Sequence, residues 1–194
     1  FGNSGTAARL ILGLVSTHPI ETHFIGDESL SQRPMKRVTE PLIDFGANFN
    51  LRNSEFLPIE VKGTEYPIPI THEMKVASAQ VKSAIMFAGL NTPGITTIIE
   101  KEKTRDHTET LFKYYGYEIN IEEKDGKNFI SFEGQKVLNP VNIKVPGDPS
   151  SAAYPVVAGL ICKDSKIKIK SVLLNPTRDG IYKLSLIHIS EPTR

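Results

Sequence analysis

The sequence predicts an α/β protein built from repeated units, each with a strand, a helix, a second strand, a second helix and a hairpin. The main observation is a short polar turn that leads into an apolar helix three times. These helices start at Thr6, Ser78 and Ser150, which are 72 residues apart in both intervals (6 to 78 and 78 to 150). Gly46 and Gly116 follow corresponding second helices, where a C-terminal glycine is common. The sequence lacks GxGxxG and GxxxxGK(S/T) motifs, so we predict neither an open dinucleotide-binding sheet nor a P-loop fold.

The elements of the first unit follow from hydrophobic spacing and from the positions of proline and glycine. Apolar residues recur at helical intervals before the stop signal at His18-Pro19. Pro34 suits the start of a helix because its missing N–H group would be unpaired there, whereas Pro41 should bend that helix. The predicted elements are a helix over residues 6–15, a strand over 21–25, a polar loop over 26–34, a helix over 34–45, and a hairpin of 48–52 with 58–62 around Asn53-Ser54.

The second and third units are predicted from the same signals, with Asp125-Gly126 as a favourable hairpin turn. The second unit should contain a strand over 66–70, a polar turn over 71–77, a helix over 78–90, a strand over 95–100, a helix over 107–115, and a hairpin of 117–122 with 128–132. The third should contain a strand over 141–145, a helix that ends at 162, a strand over 166–172, and a helix start at 175–180.

Composition limits the class of protein. The 194 residues are 39% hydrophobic and 23% charged, as in ordinary globular domains. The formal net charge of +1 gives no general attraction for nucleic acid or anionic lipid, and no apolar run reaches the roughly 18–20 residues of a membrane span. The single Cys162 excludes an internal disulfide, and its apolar neighbours predict a small buried residue. We therefore expect a cytoplasmic protein without a nucleic-acid or membrane partner.

The first turns of the repeated helices are candidate anion sites. Free N–H groups and the positive end of the helix dipole attract phosphate there. In the stretch Gly2–Arg9, glycines allow close backbone approach and Arg9 adds a positive charge. Arg33 and Arg105 each lie just before a predicted helix, where a guanidinium group can hold a phosphate through two N–H groups. Lys82, by contrast, is predicted to lie in solvent.

Other kinds of chemistry have little support in the sequence. The histidines do not have the spacing of metal ligands, and there is no cysteine pair and no Gly-x-Ser-x-Gly elbow. The sequence around His107 does not identify it as a general base. We therefore predict no metal, no cofactor and no covalent catalysis. The chemistry that the sequence favours is phosphate binding by arginine side chains and backbone N–H groups.

Taken together, these motifs resemble the 5-enolpyruvylshikimate-3-phosphate (EPSP) synthase family. The resemblance covers residues 2–180 and rests on the stretches GNSGTAARL, GDESLSQRPMKRV, SAQVKSAIMFAGL, TRDHTETL, VPGDPSSAA and NPTRDG. It implies the two-domain enolpyruvyl transferase fold, incomplete here. It also implies transfer of the enolpyruvyl group from phosphoenolpyruvate to the 5-hydroxyl of shikimate 3-phosphate, a step of aromatic amino acid biosynthesis that needs no cofactor.

The resemblance also implies which residues bind the two substrates. Ala79 stands where some members of the family have a second serine, so one hydroxyl donor is missing here. For phosphoenolpyruvate the matching residues are Asn3, Gly5 and Arg33, with Arg33 on the phosphate, and Thr6 is a further substrate-binding residue. For shikimate 3-phosphate they are Ser78, Ala79, Gln80, Thr104 and Arg105, with Gln80 beside the ring and between the two substrates.

The same resemblance predicts how the chain is divided. Residues 1–144 should be most of the N-terminal, substrate-binding domain, residues 145–182 the start of the C-terminal domain, and residues 183–194 a non-native tail that looks like translated adapter DNA. The acid and base groups of the family would then lie outside this piece. We therefore assign no catalytic residue within it, expect the isolated piece to be inactive, and expect the parent enzyme to be a monomer.

Two alternatives remain open at this point. The enolpyruvyl transferase that acts on UDP-N-acetylglucosamine shares the fold but usually needs a cysteine on a mobile loop, whereas Cys162 lies in a predicted helix. A non-catalytic module that binds a phosphate ligand or an RNA terminus can be built from similar repeats.

Overall fold

The computed structural model describes residues 1–184, which form two compact units. The first unit is Phe1–Pro140, and the second begins at Val141. The predicted tail at 183–194 lies mostly outside the described residues. Among the helices that are described, none is both long enough and apolar enough to cross a bilayer.

The first half of unit one packs helices against a three-stranded antiparallel sheet with strand order β1-β3-β2. The predicted order of helix, strand, helix and hairpin is confirmed. The predicted loop over 26–34 contains a short helix, however, because Asp27 Oδ1 accepts the Leu30 N–H group at 2.8 Å and caps it. The elements are α1 (Gly5–Ser16), β1 (Glu21–Phe24), α2 (Glu28–Ser31), α3 (Lys36–Ile43), β2 (Asn48–Arg52) and β3 (Phe56–Lys62).

The second half of the unit carries a four-stranded sheet with order β4-β5-β7-β6, in which only β4 and β5 are parallel. The predicted hairpin turn is confirmed, since Asp125 and Gly126 have φ values of 54° and 71°. The elements are β4 (Thr71–Glu73), α4 (Ala79–Leu90), β5 (Ile95–Glu100), α5 (His107–Tyr114), β6 (Asn120–Lys124) and β7 (Lys127–Glu133).

The predicted strand over 66–70 is wrong, and the strand β4 forms instead in the stretch that was predicted to be a polar turn. Pro67 and Pro69 have no N–H group, so the segment around them cannot donate regularly to a sheet ladder. Pairing starts where the prolines end. Thr97 N–H donates to Ile70 O at 2.9 Å, and Thr71 is then opposite Thr97 in the parallel pair.

The second unit contains helix α6 (Pro149–Ile161), which Asp148 caps by accepting the Ser151 N–H group at 2.9 Å. The predicted strands over 141–145 and 166–172 are wrong. Within the described part of this unit, ladder pairing is limited to one parallel bridge between Gly147 and Val172. An extended segment needs a neighbouring strand to pair its backbone groups, and an apolar pattern alone does not supply one. Cys162 was predicted to be buried, but it is exposed at the C-cap of α6.

Close packing of α1 against α4 forms the centre of unit one. Helix α4 is apolar on most of its surface, and its residues 81–86 are all buried. The helices approach so closely because α1 carries a glycine at the contact. A Cβ atom added to Gly13 would lie 2.0 Å from the backbone oxygen of Ala84. This contact sets the first turns of α1 and α4 side by side.

Replacing Gly13 by Ala should therefore destabilise the chain. The methyl group meets backbone atoms that cannot rotate away, so the helices must separate, at a cost of about 1–3 kcal/mol or more. Urea unfolding of the 194-residue chain measures the loss. Gly180→Ala is the control because a Cβ added there would meet no atom of another described residue within 4 Å, its two chain neighbours aside. An equal effect of both substitutions would contradict the contact between α1 and α4.

Candidate functional site

The first turn of α1 forms one wall of the candidate site. Ser4 caps the helix by accepting the Ala7 N–H group at 3.2 Å. Gly5 is buried, and a Cβ atom added there would lie 3.0 Å from Arg9 Nη1 and 3.5 Å from Arg33 Nη1. The absence of a side chain at Gly5 therefore lets two guanidinium groups come close to the start of the helix.

Arg33 lies just after α2 and is hydrogen-bonded to the glycine-containing turn that precedes α1. Its Nη2 donates to Asn3 Oδ1 at 2.5 Å and to Ser29 Oγ at 3.1 Å. The Asp27 N–H group also donates to Gly2 O at 2.9 Å and holds the loop after β1 against the turn. The residues that the family resemblance assigns to phosphoenolpyruvate thus lie together.

Arg9 is the buried arginine of this wall. It is 6% exposed, its Nη1 donates to Gln80 Oε1 at 3.0 Å, and its Nη2 donates to Pro34 O at 3.2 Å. Burial lowers the pKa of the Arg9 guanidinium, and the positive charges of Arg37 and Arg33 lower it further. None of these three arginines has a carboxylate within ion-pair distance among residues 1–184. The charge of the group is therefore available to attract an anion.

Gln80 connects the first turn of α4 to that of α1. Its Oε1 accepts from Arg9, and its Nε2 donates to Thr6 Oγ1 at 2.9 Å. The close approach at Gly13 makes this bridge possible because it sets the starts of the two helices next to each other. Gln80 thus brings the residues assigned to phosphoenolpyruvate next to those assigned to shikimate 3-phosphate.

Helix α4 begins within one residue of its predicted start. Ser78 is the N-cap, and its Oγ lies 3.5 Å from the Val81 nitrogen, the limit of a hydrogen bond. Ala79 is half-buried and follows at the first helical position. The N–H groups of such a first turn have no intrahelical partner and point out of the helix.

The loop between β5 and α5 supplies the third part of the candidate site. Thr104 is 9% exposed, and its hydroxyl donates to Glu100 Oε1, so this hydroxyl faces the protein interior. Arg105 is half-buried, and its guanidinium has no hydrogen bond or ion pair with any described residue. Ser83 and Thr108 lie 2.6 Å apart through their hydroxyl oxygens and hold α4 beside the start of α5.

The prediction for Lys82 was wrong. This lysine is 0% exposed, and its Nζ lies 3.2 Å from Glu100 Oε1 and 2.5 Å from Glu109 Oε1. Glu100 and Ser29 were not identified from the sequence at all. A usable signal was present for the lysine, since it stands within an apolar helix whose neighbours on every side are small or hydrophobic. Among the described residues, no group of three or more His, Cys, Asp or Glu side chains could hold a metal ion.

Comparison with known proteins identifies the family of this chain. A model of the EPSP synthase (3-phosphoshikimate 1-carboxyvinyltransferase) family matches residues 1–191. The chain belongs to the EPSP synthase family. A 3-phosphoshikimate 1-carboxyvinyltransferase of Zymomonas mobilis is 54% identical over 183 residues, and one of Parvibaculum lavamentivorans is 52% identical over 183 residues. These matches cover 94% of this chain.

A solved EPSP synthase has the same fold. The structure of EPSP synthase from Acinetobacter baumannii superposes with a TM-score of 0.78 at 38% identity and covers 94% of this chain. The resemblance in the sequence motifs is thereby confirmed. The chain spans 40% of the length of that protein and of the Zymomonas mobilis relative.

Proposed function

We propose that this chain supplies the substrate-binding part of a 3-phosphoshikimate 1-carboxyvinyltransferase. Such an enzyme transfers the enolpyruvyl group of phosphoenolpyruvate to the 5-hydroxyl of shikimate 3-phosphate and releases phosphate. The relatives that resemble the chain bear this name. The observation that carries the proposal is the hydrogen-bonded bridge at Gln80 between the N-termini of α1 and α4. Arginines that have no carboxylate partner among residues 1–184 lie next to this bridge.

On one side of the bridge, the turn before α1 would hold phosphoenolpyruvate. Arg33 would bind the phosphate, with Asn3 and Ser29 fixing the direction of its guanidinium group. The positive end of the α1 dipole acts on the same charge. Gly5 leaves room for the arginines to come this close. These contacts bind and orient the substrate and do not transfer protons.

On the other side, the start of α4 and the loop before α5 would hold shikimate 3-phosphate. Ser78 and Ala79 offer the first-turn N–H groups of α4 to its phosphate, and Arg105 offers a half-buried guanidinium. Thr104 would contribute through its position in the loop, since its hydroxyl is bonded to Glu100. Gln80 would then lie between the two ligands. Holding two reactants in adjacent places contributes strongly to the rate of a reaction between them.

The names of the relatives favour this reaction over the two alternatives left open by the sequence. For the UDP-N-acetylglucosamine reaction, the expected cysteine should be on a mobile loop. Cys162 instead caps the end of helix α6. The division into an N-terminal domain up to residue 144, a C-terminal part from 145 and a non-native tail from 183 stays a prediction, as do the monomeric state and the cytoplasmic location.

A chimera tests the proposal. Residues 1–183 of this chain replace the matching segment of the Zymomonas mobilis relative, and phosphate release is measured with phosphoenolpyruvate and shikimate 3-phosphate. We expect turnover that requires both substrates. The 194-residue chain alone should release no phosphate, because the acid and base groups implied by the resemblance are not assigned within it. A folded chimera without turnover would overturn the proposed function.

A further inference from the structure

A buried group of three charged side chains lies directly behind the proposed shikimate 3-phosphate pocket. Lys82 comes from α4, Glu100 from the end of β5, and Glu109 from α5. Their side chains are 1%, 2% and 4% exposed, and Lys82 Nζ contacts both carboxylates. Three segments of the chain are thus joined by one ammonium group.

Glu100 also closes the loop that follows it. Its Oε1 accepts the backbone N–H group of Thr104 at 3.3 Å as well as the Thr104 hydroxyl, and its Oε2 lies 3.3 Å from Lys82 Nζ. One carboxylate therefore bonds to the loop on one side and to α4 on the other. Arg105, the next residue along the chain, is half-buried and has no partner of its own among the described residues.

Lys82 links this carboxylate to the start of α4. Its backbone N–H group donates to Ser78 O at 3.1 Å, so Lys82 stands one helical turn after the N-cap of the helix. Side chains in such a buried network have few alternative positions, because a partner left without its hydrogen bond in the interior is costly. A displacement of the loop would break the bonds to Glu100, and a displacement of the first turn of α4 would break the ion pair.

We propose that Glu100 is a positioning residue for shikimate 3-phosphate. Held by Lys82, it fixes the loop that carries Arg105 at a set distance from the first turn of α4, so that the arginine and the helix N-terminus meet the same phosphate. This inference rests on the proposed function. Glu100 does not touch the substrate.

Three variants of the chimera test the role of Glu100. Glu100→Leu removes the acceptor for Thr104. Glu100→Gln keeps one oxygen that can accept from Thr104, removes the charge and replaces the other oxygen by an NH2 donor. Glu109→Leu is the matched control, because it also removes one carboxylate from the lysine and leaves the bonds between Glu100 and the loop intact. Both leucine variants retain one lysine and one glutamate, so neither leaves an excess buried charge.

We expect Glu100→Leu to raise KM for shikimate 3-phosphate by about ten- to a hundredfold, with KM for phosphoenolpyruvate nearly unchanged. Glu100→Gln should recover most of this loss, and Glu109→Leu should have a much smaller effect. Equal effects of the two leucine variants, or equal increases for both substrates, would show that the group serves only to stabilise the fold.

Amide hydrogen exchange of the 194-residue chain provides a second measurement that does not depend on catalysis. In Glu100→Leu, exchange should become faster at residues 102–106, while the amides of β1 to β3 stay protected. In Glu109→Leu the loop should keep its protection. Unchanged exchange in the loop of Glu100→Leu would overturn the inference. A chimera that is inactive without any substitution would instead disprove the proposed function, and the exchange result would still decide whether Glu100 positions the loop.

Discussion

Replacing Lys82 by Met should lower the free energy of unfolding of the chain by about 3–5 kcal/mol. Methionine fills nearly the same space, but it leaves Glu100 and Glu109 buried, adjacent and without the ammonium group that contacts both. The second oxygen of Glu109, Oε2, is already buried without a hydrogen bond to any described residue. The cost is that of buried charge without compensation, and urea unfolding of the 194-residue chain measures it.

The control for this prediction is Lys62→Met. Lys62 also forms an ion pair, with Glu21 at 3.3 Å, but both side chains are about 70% exposed (70% and 72%). Removing a pair in such a position should change the free energy of unfolding by no more than about 1 kcal/mol. If the two lysine variants lose the same stability, Lys82 is not buried as the structure describes it. Replacing Lys82, Glu100 and Glu109 together by apolar residues should restore much of the stability, because no buried charge then remains.

Replacing Arg33 by Ala in the chimera should lower kcat/KM for phosphoenolpyruvate by about ten- to over a hundredfold and leave KM for shikimate 3-phosphate nearly unchanged. A charge-assisted contact to a phosphate contributes roughly 1.5–3 kcal/mol, which corresponds to that range. Arg33→Lys should recover only part of the loss, because an ammonium group lacks the planar pair of N–H donors. Steady-state kinetics with each substrate varied in turn measure both constants.

Arg52→Ala is the matched control for Arg33. Arg52 lies in the same half of the unit, and its guanidinium donates to backbone oxygens of Leu57 and Ser31, so its role is to hold the loop and the hairpin. We expect this variant to have a lower free energy of unfolding, without a selective decrease of kcat/KM for phosphoenolpyruvate. Equal losses for both substrates in Arg33→Ala would show that Arg33 supports the fold or belongs to the other pocket.

The sequence by itself determined the features that depend on a few neighbouring residues. Ser4, Ser78 and Asp148 cap helices because a side-chain oxygen can reach an N–H group three residues ahead. Asn53 and Asp125 begin hairpin turns, where positive φ values are required and these residue types tolerate them. The motifs around these turns were also sufficient to indicate the EPSP synthase family.

The tertiary structure alone decided the features that depend on residues far apart in the chain. Lysine is a residue type that usually lies at the surface. The burial of Lys82 is possible only because Glu100 and Glu109, which belong to other elements, contact its ammonium group. Arg9 was expected to face a ligand, but Gln80, 71 residues away, occupies one end of its guanidinium group. The sequence predicted strands at 141–145 and 166–172, the second from alternating charged and apolar residues, yet a strand also needs a neighbour to pair with. Local signals specify where an element starts and ends, whereas burial, pairing and the joining of the two substrate sites follow from which elements the fold brings together.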